Sequence, residues 1–585
     1  MARNKFDVDE ALESSFNATH LKRSLVYAGR YKGKMAAAFL LSVAASLISL
    51  MGPKFIQRAI DTALPNSDKV LLIQMSALLA GSIVISVLLG MARGLILSRV
   101  GQHIIRDIRH DLFSHLQKLP FSYYDSRPHG KILVRVVHYV NNVADMLSNG
   151  IISIAIEILN IVFIVVFMLL TDVTLTLIII GGLPIVAAIV MLLKPRQRHA
   201  MQQISNKGSN LTAYTAENID GVRITQMFTR QDTNTGIYRE LTSAWSGSWL
   251  KAIKISLWVT LSTDYTSHIV SAVIYLVGIL WIKPTISPAL LITMGAYAAR
   301  FWAPVINLAN LYNGVINSMS YLERIFETID EPVSICDVPD AVVLKPFKGE
   351  VAFKNVTFGY EPGQTVLDDV SFKVREGQSV ALVGPTGAGK STVINLISRF
   401  YNINSGTVYI DGQDISKGTL ESLRGQLGIM MQDSFIFSAS VEENIRYGRL
   451  DATEEEIIAA AKAVCAHDFI ESLPQGYKTE LSERGGSLSA GQKQLISFAR
   501  TMLSDPKVLI LDEATSSIDA RTEQLLQAGI AKLLEGRTSF IVAHRLSTIK
   551  NSDIIMFIDG GKIAESGNHD ELMAKKGRYY SLHDE

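Results

Sequence analysis

The stretch Gly384-Pro-Thr-Gly-Ala-Gly-Lys-Ser-Thr392 has the spacing G-x-x-x-x-G-K-[ST]. An apolar, strand-like run, Ser379-Val-Ala-Leu-Val383, precedes it, and a helix-like run, Thr392-Val-Ile-Asn-Leu-Ile-Ser398, follows. Strand, glycine loop and helix in that order make the setting of a phosphate-binding loop. Glycines let successive backbone N–H groups turn inward onto phosphate oxygens, and the helix N-terminus adds positive potential. Gly384, Pro385, Thr386, Gly387, Ala388, Gly389, Lys390, Ser391 and Thr392 would surround the phosphates. Lys390 would reach the β- and γ-phosphates, and the Ser391 hydroxyl would ligate Mg²⁺. The loop therefore implies a nucleoside triphosphate as ligand.

Working outward, Val508-Leu-Ile-Leu-Asp-Glu513 is an apolar strand ending in two carboxylates. In P-loop proteins a carboxylate placed there binds the nucleotide's Mg²⁺, which suits Asp512. Glu513 is then the candidate general base for the water that attacks the γ-phosphate. Asp559-Gly-Gly-Lys562 between two apolar runs reads as a hairpin.

At 585 residues the chain is too long for one core. It is 48% apolar and only 19% charged, which fits a membrane domain joined to a soluble one. A net charge of +1 gives no basic field and no case for nucleic acid as a partner. Cys336 and Cys465 lie far apart in sequence, which excludes a C-x-x-C motif and argues against a disulfide framework or zinc site. The first 20 residues are polar and acidic, unlike a signal peptide, and leave no room for an N-terminal peptidase domain.

Residues 21–34 interleave Lys22, Arg23, Arg30, Lys32 and Lys34 with Leu21, Leu25, Val26 and Tyr31, as an amphipathic segment on a membrane surface does. Apolar stretches follow at 35–57, 70–97, 148–171, 173–194, 253–282 and 291–316. Most approach or exceed the roughly 20 residues that cross a bilayer. Basic residues crowd the segments before the first stretch, between the second and third, and between the fourth and fifth. The link near Thr171 and Asp172 has none, and the link after the fifth has only Lys283. Six spans with both termini inside satisfy that asymmetry. Helical periodicity runs on through 99–119 and 202–228, so the long inside segments read as extensions of the spans, broken once at 121–130. The turns near 135–142 and 212–217 are the candidates for docking on the nucleotide-binding domain.

The expected fold is thus an α-helical six-span transmembrane domain fused to an α/β P-loop nucleotide-binding domain. The expected divisions are a cytosolic tail and amphipathic segment at 1–34, the membrane domain at 35–330, a Pro-containing linker at 331–348 and the nucleotide-binding domain at 349–585.

The second half resembles the nucleotide-binding domain of ATP-binding cassette (ABC) proteins. Leu488-Ser-Ala-Gly-Gln492 is similar to the family signature LSGGQ and lies between the P-loop and the Asp512-Glu513 strand, as in that family. The resemblance assigns roles to further residues. Tyr360 matches the aromatic that stacks on adenine. Gln432 matches the glutamine that senses Mg²⁺ and the attacking water, so Ser391, Gln432 and Asp512 form the implied metal set. His544 matches the histidine at the γ-phosphate, beside the catalytic Glu513. Ser516-Ser-Ile-Asp519 matches the loop that touches the opposite subunit. The first half resembles the exporter type of the family, and Thr479-Glu-Leu-Ser-Glu-Arg-Gly485 resembles the exporters' cross-linking loop. The resemblance covers nearly the whole chain.

Two departures stand out. Ala490 replaces the usual glycine, and Gln494-Leu495 replaces the frequent Gln-Arg. Such a signature, followed by Asp519-Ala-Arg-Thr-Glu523, resembles the catalytically competent half of heterodimeric exporters. In this family the P-loop of one subunit is closed by the signature of another, so Ser489, Ala490, Gly491 and Gln492 would serve a partner's ATP. The implied partner is a second half-transporter, a different chain by preference and a copy of this one as the alternative.

The resemblance implies ATP and Mg²⁺ as ligands and an integral protein of a bacterial cell membrane, with its N-terminus and ATPase domain cytoplasmic. It also implies ATP-driven export of hydrophobic or amphipathic compounds, drugs or lipids, by alternating access. A lipid flippase, an importer of exporter shape, or an ATP-gated channel or sensor are the other readings. Intact Glu513 and His544 favour turnover, which a gate would not need. Asp264 and His268 share a helix face, with Arg300 in span six and Arg93 near the inner end of span two. They face a substrate path or form structural contacts. Trp258, Tyr265, Tyr275, Tyr297, Trp302, Asn307 and Tyr312 either line a cavity or pack.

Overall fold

The computed structural model describes residues 18–584 apart from 128, 281–286, 362, 432–433, 513–519 and 543–548. Within helices some side chains, those of Asp264 and Tyr312 among them, lie outside the description. The chain divides into two units, Met1–Gln117 with His129–Glu331, and Lys118–Pro128 with Pro332–Glu585. The expected boundary near 330 therefore misses one segment, because 118–128 packs with the second unit.

The first unit is helical. It opens with α1 (Ala18–Gly29), α2 (Lys32–Arg58) and α3 (Lys69–Leu116). The five-residue α4 (Phe121–Asp125) belongs to the second unit. Then α5 (His129–Val134) and α6 (Val140–Asp145) run through π-helical turns into α7 (Ile151–Leu169). After α8 (Val173–Gly181) come α9 (Leu183–Asp220), α10 (Val222–Met227), α11 (Gln231–Leu280) and α12 (Pro288–Ile329).

Among the described residues, Lys32–Ala63, Lys69–Leu116, Ile132–Leu169 and Pro288–Leu308 are long and apolar enough to cross a bilayer. Two shorter apolar stretches, Val173–Ile185 and His268–Leu280, fall where the fourth and fifth spans were expected. The paired glycines 181 and 182 divide the fourth between α8 and α9. At 1.5 Å per residue, α3 is about 70 Å long and α11 about 75 Å, more than twice the ~30 Å hydrocarbon core. The extensions read from periodicity are real helix. Side chains satisfy N–H groups at three helix starts: Asp68 accepts from Val70 and Leu71, Asp172 from Leu175, and Ser287 from Leu290.

Two expected turns are not turns. Residues 135–142 form a helical wall on α12, where Arg135 donates to the Thr328 hydroxyl at 2.8 Å and pairs with Glu327 at 3.1 Å. The Tyr139 ring stacks on Tyr321 at 4.9 Å. Residues 212–217 lie inside α9, and the chain reverses later, around α10. Arginine and threonine at helical spacing serve a helix–helix seam as well as a turn. The N-terminal α1 is tied to this unit by a fork from Arg23 to both oxygens of Asp330, at 2.6 and 2.7 Å. Those bonds hold the Asp330 carboxyl below its usual range.

The second unit is built on strands. In chain order these are β1 (Val351–Phe358), β2 (Leu367–Val374), β3 (Ser379–Val383), β4 (Ser405–Ile410), β5 (Gln413–Asp414), β6 (Leu427–Met430), β7 (Val508–Asp512), β8 (Thr538–Val542), β9 (Ile554–Asp559) and β10 (Lys562–Gly567). One sheet runs β2-β1-β4-β5, all antiparallel, and the other β10-β9-β3-β8-β7-β6. The second is parallel from β9 across to β6, and β10 closes it as the expected hairpin, with Gly560 and Gly561 at φ 55° and 75°. Its central strands are continuous apolar runs because both faces are covered. The helices are α13 (Lys390–Ile397), α14 (Leu420–Arg424), α15 (Val441–Arg446), α16 (Glu454–Ala463), α17 (His467–Glu471), α18 (Ala490–Ser504), α19 (Ala520–Leu534) and two short ones at the C-terminus. Asp411 accepts from the N–H groups of Lys348, Gly349 and Glu350 and pins the end of the linker.

The membrane unit packs closely at Gly182. A Cβ there would lie 2.8 Å from Val270 Cγ2 and 3.1 Å from the Trp302 ring. Gly182→Leu should cost about 1–3 kcal/mol through overpacking. It should lower the thermal midpoint of the detergent-purified protein, while Gly81→Leu, with open space at its Cβ, should not.

Candidate functional site

Strand β3 sits between β8 and β9, in parallel register with both, and delivers the glycine loop to the carboxyl edge of the sheet. Gly384 stands at φ 144°, with a would-be Cβ only 2.1 Å from the Ile558 carbonyl oxygen, so no larger residue fits. Gly389, at φ 105°, turns the chain into α13. Lys390 opens that helix. Its ammonium is buried and donates to the carbonyls of Gly384 at 2.7 Å and Pro385 at 2.9 Å. Burial pushes the Lys390 ammonium below its usual value, against the opposing pull of Asp512. The lysine thus folds back over the loop, its charge aimed where phosphate oxygens would replace the two carbonyls.

Asp512 ends β7, in register with Val542 of β8, so it reaches the same edge as the loop. Ser391 is exposed beside Lys390. A serine hydroxyl and a carboxylate are the oxygen donors Mg²⁺ prefers, and Mg²⁺ usually completes its shell with substrate phosphates and water. No group of three or more His, Cys, Asp or Glu side chains suited to a metal occurs among the described residues. The donor set therefore fits a metal that arrives with a nucleotide. Gln432, Glu513 and His544 lie outside the described residues, as do 516–519. In sequence Glu513 directly follows Asp512.

Tyr360 follows β1. Its hydroxyl is 3.1 Å from the Thr392 hydroxyl and accepts from Asn395 at 3.3 Å, so α13 orients it. Its ring leans edge-on against Phe358 and Tyr401, and 46% of the residue stays exposed. An oriented aromatic with a free face suits stacking on a base.

The signature lies elsewhere in the unit, at the start of α18, which packs against α15, α16 and α19. Ser489 and Gln492 form a reciprocal capping box: the Ser489 hydroxyl accepts from the Gln492 N–H at 3.2 Å, and the Gln492 side chain accepts from the Ser489 N–H at 2.9 Å. Gly491 is buried, whereas Ser489 and Ala490 are exposed. Ala490 is an ordinary helical residue without positive φ, so the methyl that replaces a glycine hydrogen causes no backbone strain.

Sequence reading missed two residues of this unit. Arg500, one helix face down α18, donates to the carbonyls of Phe435 at 3.1 Å and Asn444 at 2.8 Å, bracing the segment that follows Gln432. Tyr401 donates to Asp125 of α4 at 2.7 Å, and Phe121 of α4 packs on Phe400 at 4.5 Å. Burial, with Asp125 beside it, raises the Tyr401 phenol above its usual pKa. The only sequence signal was the aromatic cluster in the break at 121–130. The same Tyr401 ring packs edge-on to Tyr360 at 4.9 Å, so a single side chain touches both Tyr360 and α4.

Residues 35–305 match the ABC transporter transmembrane region family, and residues 367–516 match the ABC transporter family. The uncharacterized ABC transporter ATP-binding protein YknV of Bacillus subtilis (strain 168) is 37% identical over 585 residues, covering 100% of this chain and 97% of its own. The chain belongs to the ABC transporter family. Another ABC relative, the fatty acid ABC transporter ATP-binding/permease protein of Mycobacterium bovis (strain ATCC BAA-935 / AF2122/97), is 35% identical over 498 residues, 84% of this chain and 78% of its own. The structure of a bacterial Atm1-family ABC exporter with ATP bound superposes with a TM-score of 0.78 at 29% identity, over 97% of this chain and 99% of that one. The resemblance read from the motifs is thereby confirmed: this ABC chain has the exporter fold, with an ATPase domain coupled to transmembrane transport.

Tyr401→Phe keeps the ring contacts and removes the bond to Asp125. ATP affinity should stay unchanged, while amides 121–127 should exchange hydrogen on the order of tenfold faster by mass spectrometry. Identical exchange would exclude that bond from the docking of α4.

Proposed function

We propose that this chain is one half of an ATP-driven exporter of hydrophobic or amphipathic compounds, drugs or lipids, in a bacterial cell membrane. The observation that carries the reading is the Lys390 cradle on a nucleotide-binding unit continuous in one chain with apolar spans. Six spans, with both termini and the ATPase domain on the cytoplasmic side, agree with the distribution of basic residues. The amphipathic substrate class is supported by the fatty acid relative from Mycobacterium bovis.

In this reading Lys390 holds the β- and γ-phosphates, and Ser391, Gln432 and Asp512 hold Mg²⁺, which supplies charge neutralisation on the phosphates. Tyr360 stacks on adenine. Glu513 polarises the attacking water, and His544 contacts the γ-phosphate. Ser489, Ala490, Gly491 and Gln492 close the ATP site of a second half-transporter. A different partner chain is favoured by the Ala490 signature and by Asp519-Ala-Arg-Thr-Glu523, and a second copy of this chain is the alternative. ATP binds both faces and closes the pair, and loss of the γ-phosphate contacts reopens it.

The tip around α10 supports the dimer. Ile219, Val222, Ile224, Met227 and Phe228 are each at least 45% exposed, an apolar cluster far from the expected bilayer. It is the docking surface we assign to the partner's ATPase domain.

Glu513→Gln should retain ATP binding and lose hydrolysis by roughly two or more orders of magnitude, the scale of general-base removal. In proteoliposomes it should also abolish ATP-driven movement of a fluorescent phospholipid. Full turnover in that variant would reassign the base. The double variant Ile224→Glu/Met227→Glu tests the tip. ATP binding should persist while lipid movement is lost, and unimpaired movement would free the tip from coupling.

A further inference from the structure

Helices α2, α7 and α12 meet around a carboxylate that hydropathy alone conceals. Glu157 lies on α7, thirteen residues before Leu170, where that span ends. That places it about 20 Å along the helix from the end, inside a hydrocarbon core of about 30 Å. Asn307 of α12 donates its amide to Glu157 Oε1 at 2.9 Å, and Asn160 donates to Oε2 at 3.3 Å. Ser46 of α2 donates in turn to the Asn160 side-chain oxygen. Each carboxylate oxygen is thus oriented by one amide, and among the described residues no other donor takes up the rest of its acceptor capacity.

Among the described residues Glu157 forms no ion pair. The nearest cation along α12 is Arg300, seven residues from Asn307, about 10 Å by helical rise. Its guanidinium donates to the Ser49 carbonyl of α2 at 2.6 Å rather than to Glu157. Glu157 is half-buried and Asn307 exposed, so the cluster has an open side. On the same face of α7, Ile154 and Ile161 lie three residues before and four after it, both half-buried. A carboxylate at this depth does not face lipid chains, and such groups mark a cavity or pathway.

We propose that Glu157, oriented by Asn160 and Asn307, is a binding site for hydrophobic organic cations in the membrane unit. Three features favour that occupant. Among the described residues the carboxylate has no cation paired to it. The groups around it are amide donors rather than further oxygen ligands, which leaves a hard metal ion short of its six or more oxygens. The half-buried Ile154 and Ile161 on the same helix face suit an apolar body around the charge. The inference rests on the exporter reading and names one substrate class for it.

The test uses the full-length protein, with whichever partner chain co-purifies, in phosphatidylcholine nanodiscs. The probe is radiolabelled tetraphenylphosphonium. Wild type should bind it, and Glu157→Gln should weaken binding about tenfold or more, the scale of a lost charge-assisted contact. Glu157→Asp should restore most of it. Basal ATP hydrolysis should be unchanged in both variants, which shows them folded, and uncharged triphenylphosphine oxide should not distinguish them from wild type. No binding of tetraphenylphosphonium by wild type, or equal binding by Glu157→Gln, overturns the site. Tighter binding of laurate than of the cation overturns it too, in favour of an anion at Arg300. If wild type hydrolyses ATP and moves a fluorescent phospholipid yet ignores the cation, only this site falls. If it does neither, the exporter reading falls with it.

Discussion

The parallel pairing of β3 between β8 and β9 is the constraint on which the ATPase chemistry depends. A strand hydrogen-bonded on both edges and covered on both faces has no freedom to shift, because a one-residue slip would carry buried valines and leucines to the wrong side. The glycine loop inherits that rigidity. Its first glycine is locked against the Ile558 carbonyl of β9, so the loop is anchored from the neighbouring strand as well as its own. Lys390 then needs only one helical turn to fold its charge over the loop. Strand β7, paired to the far side of β8, brings Asp512 to the same edge by register alone.

A rigid site must still report its occupancy. In the proposed function that report would begin at Tyr360, held by α13 through Thr392 and Asn395. Tyr401 lies edge-on to that ring and bonds Asp125 of α4, a segment that belongs to the nucleotide-binding unit although its sequence falls between two spans. Two rings and one charged hydrogen bond therefore join Tyr360 to a helix whose flanking chain continues into the first unit. Bonds of this kind are short in reach and steep in distance, which suits transmission between two discrete packings better than gradual deformation.

The nucleotide-binding unit was largely legible in sequence because its chemistry is local. The P-loop, the strand Ser379–Val383 before it, the strand ending at Asp512 and the hairpin at Gly560-Gly561 each depend on contiguous residues, and the structure has them where the sequence put them. The membrane unit was legible only in outline. Hydropathy averages over a window, so Glu157 disappears among the isoleucines and valines of α7, although its partners Asn160 and Asn307 are equally visible as letters. Their meeting is a tertiary fact, set by how α2, α7 and α12 pack. The expected turns were misread for a related reason. Residues 135–142 continue a helical seam on α12, while Phe121-Ser-Tyr-Tyr-Asp125 looks like a break because its aromatic side chains find their partners hundreds of residues away.

The signature shows how a motif can carry two duties. Ser489 and Gln492 are fully explained as a capping box, so their presence alone would argue for nothing beyond a helix start. What the box leaves over is more telling. It binds the Gln492 N–H, and the first intrahelical bond falls to Lys493. Among the described residues the Ala490 and Gly491 N–H groups have no acceptor, and they stand at the positive end of a fifteen-residue helix. Such a terminus favours an anion. The exposed Ala490 keeps that end open, since a helical alanine adds one methyl and no strain. The same chain thus carries a cationic cradle at Lys390 and, among the described residues, a separate helix end at Ser489 whose side chains bond within the motif. Two such half-sites on one chain are what the proposed pairing of two half-transporters around ATP would need, since each would supply the other's missing side.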